Sequence, residues 1–175
     1  MADWLGIAGI TTERLRLRSE EVADLPVLER TWRDPEICRY LGGPASAEDV
    51  AERRRRVGRR GKFAVVLATG EVVGFCRVTA AGSHQGCTRP GDAELAYAFL
   101  PEYWGHGYAR EAAAAVLAWA FDNIRSTERI IAVTQAANTR SRRLLQALGM
   151  EQIGAEFVDI DEPAVMYAIT RTPRG

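Results

Sequence analysis

A strand, a glycine-bearing turn, a helix and a second strand follow one another between residues 93 and 135, and this order constrains the fold most. Ala93–Leu100 alternates between two sets of side chains, which is typical of a strand, and Pro101 ends it. Ala109–Ile124 carries apolar residues at helical spacing, and Arg129–Gln135 is a short apolar run. Because a helix connects the two strands, we predict that they are parallel neighbours in one sheet.

The rest of the chain supplies the elements of one α/β domain. Its 175 residues, 47% of them hydrophobic, suffice for a single core over residues 1–175, with residues 1–10 as a flexible N-terminal arm. We predict a mixed central sheet of six to seven strands flanked by about four helices. The other predicted strands are Glu13–Arg18, Phe63–Ala68, Glu71–Val78, Gln152–Val158 and Ala164–Thr170, and the other helices are Asp24–Trp32, Glu48–Arg60 and Thr139–Leu148, with a helical turn through Ile37 to Leu41.

The charge balance argues against partners that are recognised through a global electrostatic field. Basic and acidic residues number 23 each, so nothing draws the whole chain to nucleic acid or to an anionic membrane. The run Arg53–Arg56 leaves local nucleic-acid binding open. Because the run lacks interleaved aromatic residues, a solvated helix face is favoured.

Neither export nor a metal site is predicted. Asp3 stands where a signal peptide needs positive charge, and no segment reaches about 18 uninterrupted apolar residues, so we expect a soluble, cytoplasmic protein with no membrane partner. The three cysteines form no Cys-x-x-Cys pair. His84 and His106 are isolated, so we expect no metal.

Gly105 and Gly107 lie between the end of the predicted strand and the start of the predicted helix. A turn there directs several backbone N–H groups to one point beside a helix N-terminus, which makes an anion site. Glycine allows a phosphate oxygen to approach the backbone closely. A tight turn without any ligand is the alternative.

Two kinds of phosphate-binding loop fit this turn poorly. A Walker loop needs Gly-Lys followed by Ser or Thr, but Gly61 and Lys62 are followed by Phe63. A dinucleotide fingerprint would place its third glycine at Arg110 and an acidic residue near the end of the next strand, which instead ends at Gln135.

A third interpretation rests on a resemblance. Trp104–Ala109 resembles the Gln/Arg-x-x-Gly-x-Gly/Ala turn of the GNAT acetyltransferases, with Trp104 in place of the usual first residue. Tyr103–Ala109 also matches the Tyr-Trp-Gly-x-Gly-Tyr-Ala form of the branch that resembles the RimJ and RimL ribosomal-protein N-terminal acetyltransferases. Three further segments resemble that branch in the same order, namely Thr12–Arg18, Asp34–Leu41 and Asn138–Met150. The likeness therefore spans most of the chain.

The resemblance implies acetyl-CoA as co-substrate and a set of positions that hold it. The backbone of the turn would carry the pyrophosphate, Arg110 would add a side-chain contact, and the backbone at Phe99 and Leu100 would pair with the pantetheine arm. Asn138 would meet a pantetheine amide, although a helix N-cap alone also explains this residue. The implied cofactor positions are Phe99, Leu100, Trp104, Gly105, His106, Gly107, Tyr108, Ala109, Arg110 and Asn138.

Acetyl transfer to an amine needs a base, because an α-amino group has a reference pKa near ~8 and lysine near ~10.4. Glu94 is the candidate base, acting directly or through water, with Asp92 as its alternative; an ordinary exposed carboxylate explains Glu94 equally well. Ser141 matches the position where this branch places a hydroxyl near the sulfur, so it is the candidate acid. Tyr97 and Tyr108 are the alternative acids, and a serine in a first helical turn needs no catalytic role.

We therefore expect an N-acetyltransferase that moves an acetyl group from acetyl-CoA to a primary amine by direct attack in a ternary complex. The acceptor is a protein N-terminus or a small-molecule amine, and a homodimer is left open. A non-catalytic CoA-sensing or interaction module is the alternative from another class.

Overall fold

The computed structural model describes residues 9–82, 84, 88–159 and 161–171, and all structural statements concern these residues. Their strands are β1 (Ile10–Thr11), β2 (Leu15–Ser19), β3 (Lys62–Leu67), β4 (Val72–Ala80), β5 (Ala93–Phe99), β6 (Arg129–Gln135), β7 (Glu151–Asp159) and β8 (Glu162–Thr170). The α-helices are α1 (Leu25–Arg33), α2 (Pro35–Cys38), α3 (Ala47–Arg54), α4 (Tyr108–Asn123) and α5 (Thr139–Ala147). Short 3-10 turns cover Val22–Asp24 and Pro101–Tyr103.

All eight described strands belong to one sheet, in the order β1-β2-β3-β4-β5-β6-β8-β7. The neighbours β5 and β6 run parallel, and every other neighbouring pair is antiparallel. The predicted α/β class, the mixed sheet and the parallel crossover are therefore confirmed. The sheet has one strand more than the predicted six to seven, because β1 is only two residues long and shows no alternation that a sequence could reveal.

The predicted N-terminal arm overlaps this extra strand. Ile10 and Thr11 pair with Leu17 and Arg16 of β2. Residues 1–8 of the arm lie outside the described residues, as do residues 83 and 85–87 of the segment that connects β4 to β5.

One face of the sheet, the α4 face, packs against α4 and α5. Leu17, Phe63 and Leu95 of the sheet join Val116 of α4 and Leu145 of α5 in one buried cluster. The helix α4 lies close to the strands because it presents alanines there, and three of them, Ala112, Ala113 and Ala120, are fully buried.

The opposite face, the α1 face, carries α1, α2 and α3. Leu28 and Trp32 of α1 pack with Val50 of α3, while Ile37 of α2 packs on Ala98 of β5. The two faces of β5 thus meet different helices, as its alternating pattern predicts.

The helix predicted at Glu48–Arg60 is shorter in the structure. It begins after Ser46, whose hydroxyl accepts a hydrogen bond from the Asp49 N–H at 3.1 Å, and it ends at Arg54. Gly58 then adopts φ 74°, a left-handed conformation that a helix cannot contain.

Each arginine of the Arg53–Arg56 run has a partner within the chain. Arg54 pairs with Glu29 at 2.6 Å, while Arg55 and Arg56 both pair with Glu52. The Arg53 guanidinium lies over the ring of Trp32, 5.9 Å from its centroid. These contacts agree with the favoured interpretation of the run as a solvated surface, although only Arg53 and Arg54 lie within α3. Among the described residues no helix is both long and apolar enough to cross a membrane.

Candidate active site

The parallel strands β5 and β6 are joined at one end and separate at the other. Their ladder consists of Ala93 with Ile130 and Glu94 with Ile131, and the remaining residues of both strands have no partner across this boundary. Where β5 separates from β6, it lies close to Gly74 of β4 on its other side. A Cβ atom on Gly74 would come within 2.8 Å of the Phe99 Cα, so the glycine lets β5 press onto β4 where it leaves β6.

A buried ion pair fixes the closed end of this gap. Arg129 Nε lies 3.0 Å from one oxygen of Asp92, and Arg129 Nη2 lies 2.5 Å from the other. The Asp92 carboxylate also accepts the Arg89 N–H at 2.7 Å. Burial alone would raise the pKa of Asp92, but the bonds from Arg129 and Arg89 lower it. Asp92 is thus a structural anion that pairs within the protein, which argues against its alternative assignment as the base.

At the open end, the gap becomes a cavity of about 350 Å³ whose lining residues come from both faces of the sheet, from which we infer that it passes between the separated strands. One part of its wall comes from α4 and α5 on the α4 face, and another part comes from α2 and the residues after it on the α1 face. Two ligands could therefore meet inside it from opposite sides. The described lining residues are Glu36, Ile37, Arg39, Tyr40, Leu41, Leu95, Ala96, Tyr97, Ala98, Phe99, Trp104, Ala109, Ala132, Val133, Thr134, Asn138, Arg140, Ser141, Leu144 and Leu145.

The glycine turn lies at the mouth of the cavity on the α4 face. Gly105 and Gly107 have φ of 84° and 79°, so both need the conformational freedom of glycine, and Gly107 caps the N-terminus of α4. No atom lies within 4 Å of where a Gly105 Cβ would be. The turn is therefore open to a ligand at Gly105, whereas a Cβ on Gly107 would lie 3.5 Å from Arg14 Nη2. The first N–H groups of α4 have no partner within the helix.

Arg14 of the β1–β2 connection holds this turn from behind. Its Nη1 donates to the His106 carbonyl at 2.9 Å, and its Nε donates to Glu111 at 2.7 Å. Because the His106 carbonyl and the Gly107 N–H belong to one planar trans peptide, Arg14 turns that N–H away from itself. Its cation also lies over the Tyr108 ring, 5.0 Å from the centroid.

Glu111 anchors Arg14 in turn. Its carboxylate accepts the Thr12 hydroxyl at 2.6 Å and the Arg14 N–H at 3.0 Å. Burial alone would raise the pKa of Glu111, but these hydrogen bonds lower it, so the carboxylate stays charged at neutral pH.

The edge of β5 presents two backbone donors to the gap. The Leu100 N–H donates to the Val73 carbonyl at 3.0 Å, on the β4 side. Backbone groups alternate between the edges of a strand, so the N–H groups of Phe99 and Tyr97 face the gap. The Phe99 carbonyl already accepts the Trp104 indole N–H at 2.7 Å. Of the two positions implied for pantetheine pairing, Phe99 turns its N–H to the gap, whereas the Leu100 N–H is already used by β4; Tyr97 supplies the second N–H that faces the gap.

Asn138, Ser141 and Tyr97 come together on the cavity wall. The Asn138 side chain accepts the Ser141 N–H at 3.1 Å and so caps α5, as the sequence predicts. The Ser141 and Tyr97 hydroxyls are 2.9 Å apart. Burial raises the pKa of Tyr97 to about 12, although the bond to Ser141 lowers it by a smaller amount. Tyr97 therefore keeps its proton at neutral pH.

Glu94 lies at the closed end and on the α1 face. Its Oε2 is 3.1 Å from His84 Nε2, and both side chains are mostly buried. It is not part of the cavity lining given above. Glu94 is two residues from Ala96, which does line the cavity on the same face, so about 7 Å separates the two positions along the strand. A proton would reach Glu94 from the cavity most simply through water.

A comparison with protein families matches residues 14–151 to the acetyltransferase (GNAT) domain, which is most of the chain. The chain belongs to the GNAT acetyltransferase family. It is 31% identical over 153 residues to the uncharacterized N-acetyltransferase p20 of Bacillus licheniformis, covering 82% of each sequence. The GNAT acetyltransferase structure from Bacillus anthracis matches with a TM-score of 0.77 and 28% identity, covering 93% of this chain and 98% of that one.

More distant structures share the fold. The ribosomal-protein-S5-alanine acetyltransferase of Vibrio fischeri has a TM-score of 0.72 and 17% identity, over 94% of this chain and 97% of that one. The aminoglycoside acetyltransferase AAC(6')-Ib in complex with coenzyme A has a TM-score of 0.70 and 23% identity, over 90% and 94% of the two chains.

Members of the GNAT family use acetyl-CoA as their acetyl donor, and the residues present in this chain suit that ligand. Open glycine backbone and the N-termini of α4 and α5 face the mouth of the cavity, where they would attract the phosphates. The N–H groups of Tyr97 and Phe99 then line the gap into which an amide-bearing pantetheine arm would extend. An acyl group carried on that arm would lie near Tyr97 and Ser141.

Several residues of this site had no signal in the sequence. Arg14 and Glu111 are 97 positions apart, and His84 lies in a segment whose composition predicts only a loop. Arg140 directly precedes Ser141, the candidate acid, but nothing in the sequence predicted its contact with Trp104. Arg110, predicted to contact the cofactor, is exposed on the first turn of α4 and does not line the cavity.

Proposed function

We propose that this protein acetylates a primary amine by direct attack of the amine on acetyl-CoA within a ternary complex. The cavity that passes through the sheet carries this proposal, because it lets donor and acceptor approach from the α4 face and the α1 face at once. Acetyl-CoA supplies an activated thioester, so the protein needs only to position the two reactants and to move protons.

Glu94 takes the proton that the amine loses, through a water between it and the cavity. The nitrogen of the neutral amine forms a bond to the acetyl carbon while the carbon–sulfur bond breaks. His84 holds the Glu94 carboxylate at 3.1 Å and orients it. Between turnovers, the side-chain pair passes the proton to solvent, since 17% of the His84 side chain and 24% of the Glu94 side chain is exposed.

Ser141 donates the proton that the leaving thiolate gains. Its hydroxyl lies 2.9 Å from that of Tyr97, which is protonated at neutral pH, returns a proton to Ser141 and regains one from solvent after CoA has left. The N–H groups of Tyr97 and Phe99 are placed to stabilise negative charge on the acetyl oxygen. Because these donors belong to the backbone, some transfer continues when Glu94 is removed.

The acceptor that the lining favours is a peptide N-terminus, as in the RimJ/RimL-like branch. On the α1 face the described lining is apolar and aromatic at Ile37, Tyr40 and Leu41, and its charged residues are Glu36 and Arg39. A polycationic acceptor would be attracted by the Glu36 carboxylate but repelled by the Arg39 guanidinium, so this face does not favour it. The S5-alanine acetyltransferase among the similar structures supports this choice, and AAC(6')-Ib supports a small-molecule amine as the second candidate.

An acceptor screen tests the proposal. Purified protein with acetyl-CoA is offered N-terminal peptides, aminoglycosides, polyamines and amino acids, and free CoA and acetylated product are both measured. We expect stoichiometric acetylation, highest with peptide N-termini. If acetyl-CoA raises the melting temperature but no amine is acetylated, the protein is the non-catalytic CoA-sensing module instead.

A further inference from the structure

The Trp104 side chain connects the two sides of the cavity mouth. Its indole N–H donates to the Phe99 carbonyl at 2.7 Å, which ties the ring to the end of β5. On its other side the guanidinium of Arg140, in the first turn of α5, lies over the ring with Cζ 4.6 Å from the ring centroid. Tryptophan is the aromatic residue that attracts a cation most strongly at such distances.

Arg140 differs from the other arginines near the glycine turn. Arg14 is neutralised by Glu111 at 2.6 Å, and Arg110 does not line the cavity. Arg140 does line it, and no described carboxylate forms an ion pair with its guanidinium. Its position is thus set by an aromatic ring, and its charge is not compensated by an acidic neighbour.

The surroundings of this guanidinium attract an anion. Asn138 caps α5 one residue before the helix begins, so Arg140 lies within the first turn, where the helix end carries partial positive charge. The N-terminus of α4 contributes Ala109 to the same cavity wall. A guanidinium offers a planar fork that matches two oxygens of a phosphate, and stacking on a ring limits its motion.

We propose that Arg140, held in place by Trp104, binds the pyrophosphate of the donor, completing from α5 the anion site that the glycine turn begins from α4. This assignment rests on the proposed use of acetyl-CoA. Trp104 acts as a positioning residue, because it contacts Arg140 and the end of β5, whereas Arg140 alone makes the ionic contact with the pyrophosphate.

Calorimetric titration without acceptor tests the proposal with three ligands: acetyl-CoA, acetyl-dephospho-CoA, and S-acetylpantetheine, which lacks the pyrophosphate. We expect Arg140→Ala to weaken binding of the first two ligands by the same factor, about tenfold. Binding of S-acetylpantetheine should stay within about twofold of the wild type. Arg140→Lys keeps the charge without the fork and should weaken the two phosphate ligands by about threefold.

Two further variants keep the result interpretable. Arg143→Ala removes an exposed arginine of the same helix that does not line the cavity, and should bind all three ligands as the wild type does. Trp104→Phe keeps a ring but removes the indole N–H, and should weaken the phosphate ligands by about threefold with an unchanged melting temperature.

Three results would overturn the assignment. The first is equal affinity of the Arg140→Ala and Arg143→Ala variants for acetyl-CoA. The second is a loss of affinity of the Arg140→Ala variant for S-acetylpantetheine as large as its loss for acetyl-CoA. The third is a loss of affinity of that variant for acetyl-CoA alone, which would indicate that Arg140 binds the ribose phosphate. If wild-type protein binds no acetyl-CoA, the proposed function fails. If the wild type binds and the Arg140 variant is unaffected, only this inference fails.

Discussion

The two ends of the boundary between β5 and β6 use opposite principles. At the closed end, a short ladder and the buried Asp92–Arg129 pair satisfy the polar groups within the protein. At the open end the strands separate, and the N–H groups of Tyr97 and Phe99 face a cavity of about 350 Å³. The comparison teaches that one boundary between two strands can hold the sheet together at one end and offer backbone donors to a ligand at the other.

Removing the ion pair should have the largest effect. Arg129→Met leaves Asp92 buried without its partner, which we expect to lower the free energy of unfolding by about 3–5 kcal/mol. Urea denaturation measures this loss. Arg143→Met, at an exposed position, is the matched control and should change stability by less than about 0.5 kcal/mol. A loss as small as that of the control would show that the pair does not hold the closed end.

The same pair predicts an acid dependence. The pKa of Asp92 is lower in the folded state than its usual value, so its stabilising contribution is present above the unfolded pKa and disappears as the pH falls through the folded one. Stability measured between about pH 6 and 2 should therefore fall more steeply in the wild type than in an Asp92→Asn variant. Parallel curves would contradict the ionised state of Asp92.

The next effect is expected at the open end. Gly107→Glu strains a φ of 79° and adds a negative charge beside Arg14, whose Nη2 lies 3.5 Å from where the new Cβ would be. Because that charge repels a pyrophosphate on the turn and competes for the arginine that holds it, we expect affinity for acetyl-CoA to fall by about a hundredfold. Calorimetry provides the affinity. Gly107→Ala imposes a similar backbone strain without the charge and should lose much less. Unchanged binding by the glutamate variant would remove the turn from the cofactor site.

Removing the candidate base, Glu94, should have an effect that is no larger, and this effect should depend on pH. Glu94→Gln should lower kcat about 100-fold near pH 6.5 and less near pH 9, because the neutral fraction of the amine rises with pH and needs less help. Its affinity for acetyl-CoA should not change. His84→Ala keeps the carboxylate but loses its partner and should show a weaker version of the same profile. A pH-independent deficit would exclude Glu94 as the base.

The proton donor should give the smallest effect. Tyr97→Phe keeps the buried ring but leaves the Ser141 hydroxyl without its 2.9 Å partner, so we expect kcat to fall about tenfold at constant KM for acetyl-CoA. Steady-state kinetics tests this. Ser141→Ala should lower kcat at least as much, and if Ser141→Ala is fully active, Ser141 is not the proton donor and Tyr97 is left as the alternative acid.

The sequence predicted local features at both ends of the boundary better than contacts between distant segments. The parallel neighbours, the start of α4 and the N-cap at Asn138 follow from local periodicity and capping chemistry, which neighbouring residues encode. The separation of the strands depends on Gly74 letting β5 press onto β4, and the ion pair joins residues 37 positions apart. The contacts of Arg14 with Glu111 and of Arg140 with Trp104 likewise arise only when distant segments meet.

Strand register also separates what could be foreseen about Glu94 from what could not. Alternation on β5 correctly placed Glu94 on the face opposite Leu95, but it could not show that the strands still pair at Glu94 and separate only beyond it. Neither the contact of His84 with Glu94 nor the distance of Glu94 from the cavity could be predicted from this alternation.

Initial-rate kinetics with both substrates varied tests the central claim most directly. If donor and acceptor meet in the cavity from opposite faces, double-reciprocal plots should intersect, and each CoA released should be matched by one acetylated amine. Parallel lines would indicate an acetylated enzyme, and CoA release without acetylated amine would indicate hydrolysis. Either result would contradict direct transfer through the sheet.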